Sequence, residues 1–251
     1  MTSSIHALTE RDVAKAIDHS LLRPELDDAF VEEGCRLAAE YDVASVCVRP
    51  ADVPRAKAIL DGTDVAVGTV IGFPHGSHAT ETKVVEARRA LADGATELDM
   101  VIQIGALRSG RDADVEADIR AVVDVAHAAG AIVKVIFENA YLSDDEKIRA
   151  CRLSESAGAD FVKTSTGFAP GGATHDDLRL MRSHTSPHVG VKAAGGVRTL
   201  DALLDVMALG TTRIGATATK AIIDDFRARK AGAAATPAGA GAGAGTSDGG
   251  Y

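Results

Sequence analysis

Apolar residues along this chain fall into two alternating rhythms. Short, nearly continuous apolar runs occur at 43–48, 65–73, 95–104, 131–137 and 189–193, with a short one opening at Phe161-Val162-Lys163 and another at 211–215. A weaker run at 16–22 carries Asp18, His19 and Ser20 in its middle. Between the runs lie longer stretches in which apolar residues recur every three or four positions, the period of a helix with one buried face. These stretches predict helices over 9–16, 27–41, 50–60, 80–92, 112–129, 143–156, 174–183, 199–208 and 217–230. In the second of them Phe30, Val31, Cys35, Leu37 and Ala38 fall mostly on one face. The boundaries are punctuated. Thr9 suits an N-cap, Ser143 with Glu146 forms a capping box, and Gly94, Gly130 and Gly210 each follow a helix end.

From Ile17 onward each of about eight strands is followed by a helix. Strict alternation with apolar strands means a parallel sheet covered by helices. Eight such units in roughly 215 residues fit an α/β (β/α)8 TIM barrel, preceded by a short N-terminal helix. A doubly wound open sheet is the competing architecture. The Gly-rich strings near the C-terminus neither follow a strand nor open a helix, so they are no dinucleotide fingerprint, and no P-loop, HExxH helix or GxSxG elbow is present. From Ala231 the composition changes to Ala, Gly, Pro and Thr, which cannot bury enough surface to fold. The expected organisation is a barrel over 1–230 and a flexible tail over 231–251.

Composition narrows the function classes. A net charge of −9 argues against a general nucleic-acid or membrane-surface binder, although a local basic pocket for phosphate is compatible with it. Cys35, Cys47 and Cys151 form no disulfide framework, and neither a signal-peptide core nor a membrane-length apolar run is evident. A cytoplasmic protein is the expectation.

The charged residues inside the strands carry the chemistry. Asp18, Asp99, Lys134, Lys163 and Lys192 lie on the first, fourth, fifth, sixth and seventh strands. In a barrel of this kind catalytic groups gather at the C-terminal ends of strands. One buried lysine is often half of a structural ion pair, but a cluster of five charged strand residues points to a use. A neutral lysine amine forms Schiff bases with carbonyls. Bringing a lysine from about 10.4 to near 7 needs roughly 4–5 kcal/mol, which burial and a facing ammonium can supply, each lysine lowering the other. Glycine turns at Gly195-Gly196 and at Gly215-Ala216-Thr217, with Gly167 after Lys163, present backbone N–H groups where such barrels often hold phosphate. His75 is expected in a loop near the mouth, and Cys47 in the core. The eight histidines lack metal-ligand spacing, so neither metal nor cofactor is expected.

The stretches Ile17-Asp18-His19-Ser20, Val46-Cys47-Val48, Gly72-Phe73-Pro74-His75-Gly76, Glu97-Leu98-Asp99-Met100-Val101, Lys134-Val135-Ile136, Phe161-Val162-Lys163-Thr164-Ser165-Thr166-Gly167, Val191-Lys192-Ala193-Ala194-Gly195-Gly196-Val197-Arg198 and Arg213-Ile214-Gly215-Ala216 together resemble the deoxyribose-phosphate aldolase family, in family order from 17 to about 220. The resemblance implies a class I aldolase that reversibly cleaves 2-deoxy-D-ribose 5-phosphate to D-glyceraldehyde 3-phosphate and acetaldehyde. It implies that Lys163 is the Schiff-base lysine, that Lys192 depresses its pKa and joins the proton relay, and that Asp99 is a general acid/base acting through water. Lys134 and Asp18 would support the polar network, and Gly167, Gly195, Gly196, Gly215 and Thr217 would face phosphate. Some members end in a tyrosine that assists proton transfer, a role implied here for Tyr251. Two positions depart from the pattern: Phe168 stands where some relatives have lysine, and Thr217 where serine is common. The implied partners are small phosphosugars and aldehydes, with a homodimer among the assemblies the sequence leaves open. The competing readings are another Schiff-base phosphosugar aldolase or transaldolase-like barrel, and a phosphosugar-binding barrel without catalysis.

Overall fold

In the computed structural model, which describes residues 5–232, the apolar runs become eight parallel strands closed into a barrel in sequence order. A short helix α1 (Glu10–Ala14) precedes β1 (Ile17–Leu21). There follow α2 (Asp28–Glu40), β2 (Ser45–Val48), α3 (Val53–Leu60), β3 (Ala66–Ile71), α4 (Thr80–Ala92) and β4 (Glu97–Val101). The second half runs α5 (Ile104–Arg108), α6 (Asp112–Ala128), β5 (Ile132–Ile136), α7 (Asp144–Ser156), β6 (Phe161–Lys163), α8 (His175–Ser183), β7 (Gly190–Ala194), α9 (Leu200–Ala208), β8 (Arg213–Ala216) and α10 (Thr219–Lys230). β8 closes on β1 through Ile17 opposite Ile214 and Asp18 opposite Gly215. Among the described residues no helix is long and apolar enough to cross a membrane.

Side chains alternate across each strand, and the sequence uses that period to separate two interiors. In β4, Leu98 and Met100 join the apolar layer between sheet and helices, whereas Glu97 and Asp99 face the barrel axis. In β5, Val133 and Val135 take the apolar side and Lys134 the axial one. The helices start where the sequence marks them. Asp27 caps α2 by accepting from Phe30 N–H at 2.9 Å, and Ser143 and Glu146 close a reciprocal capping box on α7.

Three expectations need adjustment. The run 95–104 is not one strand: β4 stops at Val101, and Ile104–Arg108 turns into α5, burying Ala106 and Leu107. A buried helix turn and a buried strand look alike in an apolar run. Phe30, expected with the buried face of α2, is 54% exposed while Val31, Cys35 and Ala38 are buried. The last strand, expected over 211–215, extends to Ala216, which places Gly215 inside β8 and not in the turn after it. The expected tail lies outside the described residues from 233 onward.

A buried ion pair braces the outer layer. Lys83 on α4 donates to Asp118 on α6 at 2.5 Å and to the Val101 carbonyl at the end of β4 at 2.8 Å. Both side chains are fully buried.

Candidate active site

Strand register brings the charged residues together. Asp99 lies opposite Lys134, Lys163 opposite Lys192, and Lys192 opposite Arg213. Because residues paired across parallel strands share a side of the sheet, all of them point to the axis: Lys163 ends β6, Asp99, Lys134 and Lys192 sit in the middle of their strands, and Arg213 opens β8.

Asp99 is the hub. Its Oδ1 accepts from Lys134 at 2.8 Å, and its Oδ2 accepts from both Lys163 at 2.8 Å and Lys192 at 2.7 Å. Lys192 also reaches Asp18 Oδ2 at 2.5 Å. Lys134 reaches Glu97 at 2.6 Å. Arg213 bridges Asp18 and Glu97, and Ser45 donates to Asp18 at 2.8 Å. Asp18, Asp99, Lys134, Lys163 and Lys192 are all buried.

Four cations thus share three carboxylates, so with every basic group protonated the set holds one positive charge in excess. The environment selects which group gives up its proton. Burial, together with the facing Lys192 ammonium, pushes Lys163 below an ordinary lysine despite the attraction of Asp99. Burial also disfavours the Lys192 ammonium, but Asp18 and Asp99 outweigh it and hold Lys192 above the usual value. The mutual depression expected for two facing lysines is therefore one-sided. Burial alone would protonate Asp99; Lys134, Lys163 and Lys192 overcome it and keep the carboxyl well below the usual range. Lys134 is likewise held cationic, its burial outweighed by Asp99, Glu97 and Asp18.

The sequence-predicted residues divide into three groups. Lys163, Lys192, Asp99, Lys134 and Asp18 form one connected network. Gly167, Gly195, Gly196, Gly215 and Thr217 lie in or just after β6, β7 and β8, three adjacent strands. Gly167, Gly195 and Gly196 adopt φ of 87°, 81° and 92°, where a side chain is strained. A Cβ at Gly195 would come within 2.9 Å of Gly172 Cα, so the loops after β6 and β7 touch backbone to backbone. Gly215 is in β8, where a Cβ would stand 3.7 Å from Lys192 Cε. Thr217 is exposed and lines a cavity of about 370 Å³ with His19, Arg23 and Phe30. Tyr251 lies outside the described residues.

His75 is an exposed residue of the loop after β3, and Phe73 beside it meets Phe168 edge-on at 5.3 Å, joining loops from well-separated strands. Cys47 is buried with Leu22 and Val70, and burial, reinforced by Asp99, pushes its thiol up to about 11. Glu97, Arg213 and Ser45 belong to the network although the sequence did not single them out. The available signal was parity: Glu97 stands two residues before Asp99 and so shares its face.

The DeoC/LacD family aldolase pattern matches residues 12–243. A deoxyribose-phosphate aldolase of Rhodopirellula baltica is 51% identical over 216 residues, 86% of this chain and 90% of that protein. One from Bacillus cytotoxicus is 52% identical over 212 residues, 84% of this chain and 95% of that protein. Among solved structures, a putative deoxyribose-phosphate aldolase from Coccidioides immitis superposes with a TM-score of 0.84 at 42% identity, covering 88% of this chain and 87% of the other. The deoxyribose phosphate aldolase of Aeropyrum pernix, described as tetrameric, superposes with a TM-score of 0.82 at 31% identity, covering 88% and 93%.

Proposed function

This chain belongs to the DeoC/LacD family of aldolases, and we propose that its reaction is the reversible cleavage of 2-deoxy-D-ribose 5-phosphate to D-glyceraldehyde 3-phosphate and acetaldehyde. The observation that carries this reading is the shared Asp99 Oδ2. Two lysines contact one oxygen, and only the one with fewer carboxylates, Lys163, has its pKa lowered.

In this reading the neutral Lys163 amine attacks C1 of the open-chain sugar. Asp99, through a water, moves the protons that convert the carbinolamine to an iminium. The iminium nitrogen then accepts the electron pair of the C2–C3 bond as the C3 hydroxyl loses its proton. D-glyceraldehyde 3-phosphate leaves, and an enamine remains on Lys163. Protonation of its terminal carbon and hydrolysis release acetaldehyde. Neutral Lys163 becomes a cationic iminium beside the carboxylate that previously held its ammonium, so the electrostatic environment is preorganised for the intermediate. Lys192, held cationic, supplies the repulsion that frees the amine and is the near proton donor. Lys134 fixes the orientation of Asp99. Gly167, Gly195, Gly196, Gly215 and Thr217 face the phosphate.

Tyr251 as proton donor to the enamine is supported by the family resemblance. Self-association is supported by the tetrameric relative from Aeropyrum pernix, and light scattering would distinguish dimer from tetramer. A cytoplasmic location is supported by three buried free thiols, and fractionation of cells would test it.

Borohydride reduction in the presence of acetaldehyde, followed by peptide mapping, tests the chemistry. The expected product is an ethyl adduct on Lys163. An adduct on Lys192 would reverse the two lysine roles. No adduct in a folded protein that still binds a phosphosugar would favour the non-catalytic barrel.

A further inference from the structure

The turn after β5 adopts a conformation that L residues avoid. Glu138 has φ of 58°, in the left-handed region, and its side chain is only 2% exposed. The hydrogen bonds on either side show what this conformation accomplishes. Phe137 N–H donates to the Lys163 carbonyl and Asn139 N–H to the Thr164 carbonyl, each at 3.0 Å. The turn between them aims the Glu138 carboxylate at Thr166. Thr166 N–H donates to Oε2 at 3.2 Å and to Oε1 at 3.3 Å, and the Thr166 hydroxyl donates to Oε2. That hydroxyl in turn accepts from Phe168 N–H at 3.0 Å.

The N–H groups of residues 166 and 168 are therefore both engaged within the loop. Between them, Gly167 at φ 87° has an N–H with no partner among the described residues. On its outer side the loop borders a cavity of about 210 Å³ with Glu138, Tyr141 and His75, and Phe168 packs edge-on against Phe73. The polar contact to Glu138 holds the loop at Thr166.

We propose that Glu138 is a positioning residue for anion recognition: it orients the segment from Thr166 to Phe168 so that the Gly167 N–H is presented to the phosphate of the substrate, and it ties that segment to the strand carrying Lys163. This rests on the phosphosugar reading above. A carboxylate suits the task because it accepts the Thr166 N–H across both oxygens and the hydroxyl on Oε2, with its negative charge behind each bond. Glutamine has the same shape with one acceptor oxygen and no charge.

The test compares the full chain with Glu138→Gln and Thr166→Val on 2-deoxy-D-ribose 5-phosphate and on unphosphorylated 2-deoxy-D-ribose. In both variants the ratio of kcat/KM for the phosphorylated over the unphosphorylated sugar is expected to fall about tenfold, mainly through KM, the scale of one charge-assisted hydrogen bond. A purely structural role would lower both activities together, so an unchanged ratio overturns the proposal whether or not total activity drops. Should the unmodified chain cleave neither sugar, the functional reading fails, and inorganic phosphate alone decides the positioning role. Calorimetric binding of phosphate weakened in Glu138→Gln then sustains it, and equal binding overturns it.

Discussion

At Asp99 one oxygen holds Lys134 while the other is divided between Lys163 and Lys192, and in the proposed mechanism this unequal division is what makes Lys163 the reactive lysine. Replacing Lys192 with methionine removes a facing cation and leaves Asp99 Oδ2 to Lys163 alone. Both changes stabilise the Lys163 ammonium, so its pKa rises. An ammonium cannot attack a carbonyl, so the acidic limb of the kcat/KM profile should move to higher pH. At neutral pH the activity should fall roughly 10²–10⁴-fold, the usual weight of an acid–base partner. Lys192→Arg keeps the cation and should move the limb less. A limb that stays in place in Lys192→Met would show that Lys192 does not tune Lys163. The five charged strand residues were legible because a charge inside an apolar run is conspicuous. The direction of each pKa was not, because it depends on how many carboxylates surround each lysine. Lys192 has two and Lys163 has one, a count that only register supplies.

At the scale of elements, boundary signals were easier to read than strand ends. The capping box at Ser143 and the glycines after α4, α6 and α9 mark local backbone geometry and appear where expected. The end of β4 does not, because Ile102 and Leu107 are equally apolar whether strand or helix buries them. Nothing in the helical pattern of 80–92 distinguishes Lys83, yet it locks α4 to α6 and to the last carbonyl of β4. Lys83→Met would leave the Asp118 carboxyl fully buried without its cation, its remaining side-chain partners among the described residues being Thr80 and Gln103. The expected cost is about 3–5 kcal/mol. At 2–4 °C per kcal/mol for a domain of this size, the melting temperature should drop by roughly 10 °C, measured by calorimetry. Adding Asp118→Leu should recover much of that loss. A single variant as stable as the parent would show that the pair does not brace the fold.

For the molecule as a whole, the alternation of strand and helix already implied a closed barrel, and the ion network is what closure makes possible. Arg213 and Asp18 are 195 residues apart in sequence yet in contact because β8 pairs with β1. Residues 5–232 contain all eight strands of the barrel, and Tyr251 lies outside them in sequence. Tyr251→Phe should leave the melting temperature unchanged and lower kcat by about tenfold or more, with exchange of the acetaldehyde methyl protons slowed in parallel. Equal exchange rates would remove Tyr251 from the mechanism. The same ring of charges also limits how this lineage can change. Asp18, Glu97, Asp99, Lys134, Lys192 and Arg213 each satisfy at least two neighbours, so a lone substitution strands a buried charge whose partner sits on another strand. Viable descendants must alter such residues in compensating pairs, and divergence at the barrel centre should be slow and correlated while the exposed faces of the outer helices drift freely.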